Sequence, residues 1–198
     1  SPINLISGIQ EAKTIFKGVA FTENTDKALL VMDIGGASTE LVLGQKNNVH
    51  VANSLNIGCV TWLSHYFADG LLNEYNFNNA VNAAKQVIST VKTQYSNQQW
   101  ELTLGASGTI QAVNEVNIAQ KLADTLSYDL LQNIKQQCIA CQSIEALNIV
   151  GLEDSRKPVF ASGLAILIAL FESFDIQSMQ RSQGALREGL ISMMFSGQ

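Results

Sequence analysis

Residues 33–40, Asp-Ile-Gly-Gly-Ala-Ser-Thr-Glu, set two carboxylates on either side of a turn made of small residues and hydroxyls. Gly35 and Gly36 let backbone N–H groups come close to an anion and turn toward it, and Ala37 continues the row. Asp33 and Glu40 are hard oxygen donors of the kind that hold Mg²⁺ while it keeps water and substrate phosphate around it. Ser38, between them, could bond a phosphate oxygen or join the metal. Alone, the same string could also be an ordinary glycine-rich hairpin with a buried acid.

A second stretch of similar grammar narrows the choice. Gly105-Ala106-Ser107-Gly108-Thr109 follows a short strand over 101–104 and precedes a helical stretch over 110–118. Ser107 or Thr109 can cap that helix, whose first N–H groups and dipole favour an anion. Two loops of this kind suggest one phosphate chain gripped from two sides, with N–H donors from Gly35, Gly36 and Ala37 and from Gly105, Ser107, Gly108 and Thr109.

The elements that must position these loops alternate along the chain. Strands are predicted at 3–6, 29–34, 39–43, 49–55, 101–104 and 179–181. Helices are predicted at 11–21, 61–67, 76–95, 128–141, 156–174 and 185–194, the 76–95 helix keeping Ala80, Ala84, Ile88 and Val91 on one face. Three antiparallel strands followed by alternating helices and strands predict an α/β layer with a mixed sheet.

Composition bounds the rest. A chain of 198 residues, 46% hydrophobic, can bury a sizeable core and contains no stretch that reads as a linker between two cores. No apolar run is predicted to span a bilayer uninterrupted; the richest, 159–174, contains Ser162, Gly163 and Glu172 and reads as a buried helix. The first residues lack the basic region and apolar core of a signal peptide. Three cysteines, an odd and sparse count, suit a reducing compartment, so a cytoplasmic chain is expected. Cys138 and Cys141 have CxxC spacing but no second ligand pair nearby, and read as helix-borne thiols on an apolar face. A net charge of −5 offers no basic stripe for nucleic acid, so phosphate must be neutralised locally, by N–H groups, divalent metal and a few placed bases.

The chain resembles the exopolyphosphatase and guanosine pentaphosphate phosphohydrolase family of the actin-like, ribonuclease-H-like superfamily. Six blocks in order carry the resemblance: 6–12 (Ile-Ser-Gly-Ile-Gln-Glu-Ala), 33–41, 58–60 (Gly-Cys-Val), 105–109, 162–167 (Ser-Gly-Leu-Ala-Ile-Leu) and 184–189 (Gly-Ala-Leu-Arg-Glu-Gly). Ala37 in place of a third glycine, with residues 58–63 and 66–69, looks like the guanosine pentaphosphate branch.

The resemblance implies an actin-like α/β domain, the second lobe of a two-lobed phosphatase core, without the first lobe and without the helical domain that follows in many members. It implies water attack on a terminal phosphorus, and it carries the catalytic glutamate onto Glu11. Read without the family, Glu11 is an acid favoured by the helix dipole at an N-terminus; many relatives have a second acid where this chain has Gln10. Arg187, at the start of a helix, could fork onto a phosphate or pair with Glu188. The expected activity is Mg²⁺-dependent conversion of guanosine pentaphosphate to the tetraphosphate in the stringent response. Exopolyphosphatase activity and a non-catalytic nucleotide-binding regulator are the alternatives. A homodimeric full-length protein is expected, and this piece alone should be nearly inactive, since half the phosphate contacts would be missing.

Overall fold

The computed structural model describes residues 7–182. Its centre is β1 (Ala28–Ile34), whose Leu-Leu-Val-Met run is buried on both sides, as a strand between two layers must be. β2 (Thr39–Gln45) returns antiparallel beside it, and β3 (Asn48–Leu55) follows antiparallel again, with an irregularity at Leu43/Gly44. On the other side of β1, β4 (Leu102–Gly105) and the short β5 (Gln180–Arg181) run parallel. The order β3-β2-β1-β4-β5 is a mixed sheet with an antiparallel meander, as the sequence predicts.

Period-two alternation sorts the strand side chains into two cores. On one face Leu29, Val31, Val42 and Leu104 meet Ala12, Ile15, Phe16 and Val19 of α1 (Gly8–Glu23). On the other, Leu30, Met32, Leu41 and Leu43 face a thicker layer of helices. These are α2 (Cys59–Tyr66), α3 (Glu74–Lys92), α4 (Gly108–Gln120), α5 (Tyr128–Ala140) and α6 (Lys157–Phe174), the last entered through a 3₁₀ turn at Asp154–Arg156.

α6 is apolar on every side because it runs through the middle of that layer. Counted from Asp154, the helix is long and apolar enough to cross a membrane, with mean hydropathy 1.5, yet 78% of that window is buried within the protein. The expectation that no run reaches spanning length is therefore corrected on length and composition, while burial makes α6 a core helix.

α1 and α3 start earlier than apolar periodicity predicts because polar residues outside the apolar stripe cap them, whereas α5 starts at the predicted Tyr128. Ser7 accepts from the Gln10 N–H at 3.3 Å, and Asn73 from the Asn76 N–H at 2.8 Å. So α1 begins at Gly8 and not at residue 11, and α3 at Glu74 and not at residue 76. The strand predicted at 3–6 and the helix predicted at 185–194 lie outside the described residues.

Candidate active site

Asp33 and Glu40 are register partners across β1 and β2, and Ile34 and Thr39 form the next pair, so residues 35–38 make the turn at the sheet's end. The Gly35 N–H donates to the Ser38 carbonyl at 2.8 Å and closes that turn. This corrects the expectation that Gly35 offers its N–H to a substrate. The Gly35 carbonyl accepts from Cys59 N–H at 2.9 Å, and the Gly36 carbonyl accepts from Val60 and Thr61 N–H at 2.9 and 3.2 Å. The turn thus satisfies three of the orphan donors at the start of α2. In a trans peptide the C=O and N–H point in opposite directions, so this anchoring turns the N–H groups of Gly36 and Ala37 away from α2. Gly58 permits the close seam, because a Cβ there would stand 2.5 Å from the Ala37 nitrogen. Thr39 adds a hydroxyl bond to the Ile57 carbonyl at 2.6 Å.

The second loop leaves β4 beside β1, where the Ala106 N–H donates to the Met32 carbonyl at 3.0 Å. Ser107 is the cap of α4, its hydroxyl accepting from Ile110 N–H, and Thr109 sits inside the first turn. Gly105 lies below the loop, pressed between Ile110 and Met179. It does not line the cavity described next, which corrects its expected place among the substrate donors. Among the described residues, no backbone acceptor takes the N–H of Gly36, Ala37, Ser107, Gly108 or Thr109.

The two loops bound one cavity of about 280 Å³, whose lining includes Asp33, Gly36, Cys59, Ser107, Gly108 and Arg156. Val159 and Phe160 of α6 supply an apolar wall. The sequence reading brings both loops to this place but misses Arg156, which it treats only as the start of a helix. The guanidinium lies over the first turn of α4, close against Gly108. A signal was available: the chain has only three arginines, at 156, 181 and 187, and arginine is the residue suited to bidentate phosphate binding. Arg187 lies outside the described residues.

Beside the cavity three acids gather. The Asp33 carboxyl is pushed up from 3.8 to about 7, chiefly by burial, then by the charges of Glu40 and Glu11. Burial also raises Glu40, only 3% exposed, against hydrogen bonds from Ser38 and Ser54 that favour its charged form, the latter at 2.8 Å. Glu11 enters from the first turn of α1, whose Gly8 backs onto Ser54. Negative charge brought together in this way is relieved by a cation. Among the described residues no three His, Cys, Asp or Glu side chains converge closely enough to hold an ion by themselves. The donor set fits a hard divalent ion that takes the rest of its ligands from water and phosphate.

The model of the Ppx/GppA phosphatase family matches residues 1–196. The guanosine-5'-triphosphate,3'-diphosphate pyrophosphatase of Pseudoalteromonas translucida is 50% identical over 192 residues, covering 97% of this chain and 39% of that protein. The protein of the same name from Vibrio cholerae is 47% identical over 193 residues, covering 98% and 39%. The chain thus spans 39% of the length of these curated relatives. The fold is that of solved members: an Aquifex aeolicus Ppx/GppA family protein matches with a TM-score of 0.81 at 24% identity, covering 97% of this chain and 64% of that one. A Cytophaga hutchinsonii exopolyphosphatase matches with a TM-score of 0.83 at 24% identity, covering 97% and 65%. The actin-like α/β class expected from the sequence is the class of the structure.

Proposed function

The chain belongs to the Ppx/GppA phosphatase family, and on that premise we propose that the polypeptide carrying it removes the terminal 5′ phosphate of guanosine pentaphosphate, with this chain as the second lobe of its actin-like core. The observation that carries the reading is the convergence of the two small-residue loops, Arg156 and Asp33 on one cavity, with Glu40 and Glu11 in electrostatic range of Asp33. The names of the relatives that are 47–50% identical support the guanosine nucleotide as substrate, and three free cysteines suit a cytoplasmic enzyme.

Gly36 and Ala37 from the first loop, and Ser107, Gly108 and Thr109 from the second, direct N–H groups at phosphate oxygens. Arg156 adds a planar fork that can bind two oxygens at once. Glu11, at the start of α1, orients a water and takes its proton as the oxygen bonds to the terminal phosphorus; the bridging P–O bond breaks, and its electrons leave with the guanosine tetraphosphate. Asp33 and Glu40, with Ser38, would hold Mg²⁺, which supplies neutralisation of the phosphate charge. Most of the catalytic effect then comes from placed donors whose positions are fixed before the charge develops.

The test is phosphate release by the complete polypeptide, offered guanosine pentaphosphate and long-chain polyphosphate side by side, with Glu11→Gln as control. Preference for the pentaphosphate, abolished in the variant, supports the reading. Preference for the polymer moves the enzyme to the polyphosphate branch, and no release from either makes the chain part of a nucleotide-binding regulator.

A further inference from the structure

Two sequence blocks, Gly58-Cys59-Val60 and Ser162-Gly163, have no part in the chemistry above, yet they meet at a point between the loops. The N–H of Cys59 is bonded to the first loop through the Gly35 carbonyl at 2.9 Å. The Cys59 carbonyl accepts from the Ser162 hydroxyl at 2.6 Å, shorter than that hydroxyl's 3.0 Å approach to the Val159 carbonyl one turn back in α6. Ser162 is 1% exposed, so its bond is made out of reach of solvent. The next residue, Gly163, lies directly against the second loop: a Cβ there would stand 2.6 Å from Thr109 Oγ1 and 2.7 Å from Thr109 Cγ2.

We infer that Ser162 and Gly163 are positioning residues that fix the distance between the two phosphate loops, Ser162 by holding the first loop through Cys59 and Gly163 by letting Thr109 seat against α6. The reason is geometric. A phosphate group held from two sides is bound well only if both donor sets reach it together, and a displacement of about 1 Å in such a site is costly. The first loop's own hydrogen bonds end at α2, and the second loop's at β1 and α4. β1 carries the first loop and holds the start of the second through Met32; α6 adds a second tie away from the sheet, touching both loops at consecutive residues. α6 is rigid for an independent reason, being buried along nearly its whole length.

The inference rests on the proposed phosphate site, and the experiment separates the two. The complete polypeptide is labelled with ¹⁵N at glycine only, and the amides of Gly36 and Gly108 are followed as inorganic triphosphate is added. In the wild type both shift along one binding curve. Ser162→Ala keeps the volume and removes the bond: the dissociation constant is expected to rise at least tenfold, and the shift of Gly36 at saturation to fall by half or more while that of Gly108 is kept. Gly163→Ala, a change favourable to helix propensity, is expected to give the mirror pattern, with Gly108 losing its response and Gly36 keeping it. A variant that is merely less stable would leave both saturating shifts as in the wild type, since the folded molecules still bind normally. Wild-type affinity and wild-type shifts in both variants would overturn the inference. No response of either glycine in the wild-type protein would overturn the phosphate site and the inference together.

Discussion

The guanidinium of Arg156 lies so close to Gly108 that a Cβ at position 108 would stand 2.7 Å from its Cζ. The first turn of α4 and the arginine that leads into α6 therefore form one candidate anion-binding unit, a backbone terminus with a cation laid over it. Replacing Arg156 by alanine is expected to raise KM for the nucleotide by about 10–100-fold. Lysine at the same place should recover only part of this, because it lacks the planar fork. Gly108→Ala should reproduce much of the loss by displacing the guanidinium. Steady-state kinetics of the three variants check this, and a KM unchanged in Arg156→Ala would remove the arginine from the site.

Glu11 is held at the first turn of α1 by the Ser7 cap, in the electrostatic range of Asp33 and Glu40. Glu11→Gln preserves shape and removes the proposed base. It is expected to lower kcat by about 10²–10⁴-fold while changing KM little. A parallel rise in KM would instead assign Glu11 to substrate binding.

Stability should depend on the charge of Asp33. Its carboxyl is raised from 3.8 to about 7 in the fold, first by burial and then by Glu40 and Glu11. A carboxyl raised in this way keeps its proton in the folded chain after the unfolded chain has lost it. Its contribution to stability is therefore present below the unfolded value and is lost as pH rises through the folded one. Asparagine stays neutral throughout. Without divalent ions, Asp33→Asn is expected to unfold a few degrees above the wild type at pH 8, for a gain of about 1–2 kcal/mol allowing for partial exposure. The two should coincide near pH 4. Calorimetric scans at both pH values decide, and a lower Tm for the variant at pH 8 would contradict the assigned burial.

The same acids make cation binding visible without turnover. Mg²⁺ is expected to raise the Tm of the wild-type protein at pH 8, by linkage of ion binding to the folded state. The effect should shrink at pH 5, where Asp33 is protonated, and in Asp33→Asn. Equal stabilisation of both proteins by Mg²⁺ would place the ion elsewhere.

Away from the site, Tyr95 ties the sheet to the end of α3. Its buried hydroxyl lies 3.0 Å from the Leu41 carbonyl and 2.8 Å from Asn53 Oδ1, and its ring meets Phe174 edge-on at 5.3 Å. Tyr95→Phe keeps the ring contact and leaves the buried Leu41 carbonyl and the half-buried Asn53 Oδ1 without the hydroxyl. A loss of about 1–3 kcal/mol is expected in denaturant unfolding, with the anion response of Gly36 and Gly108 untouched.

Much of the site was legible in the sequence because it is built from loops whose residue types announce their backbone use. Asp33, Gly36, Ser107 and Gly108 are local signals, readable within a few positions of each other. Gly35 and Gly105 were misread because their composition says that the chain can bend there, while the partners of their backbone groups are set elsewhere. The Gly35 N–H is taken by the turn itself, and Gly105 is pinned by Met179, far along the chain. Arg156 carries no local signature at all: its meaning depends on α6 being brought beside α4 by the hydrophobic core. The described strands were predicted to within two residues at each end because alternation and burial mark them. The starts of α1 and α3 were missed by two or three residues, because Ser7 and Asn73 act through single capping bonds that leave no periodicity.

Ser162 reaches the Cys59 carbonyl across 103 positions of sequence. During synthesis the hairpin at Gly35, the strand meander and α2 all leave the ribosome long before α6 does. Until then the anion pocket lacks Arg156, its wall at Val159 and Phe160, and the hydroxyl that fixes its width. A nascent chain stalled before residue 156 would carry both candidate loops without the arginine, the apolar wall or the Ser162 hydroxyl, so the cavity between the loops is completed only once α6 has been made and has packed against them.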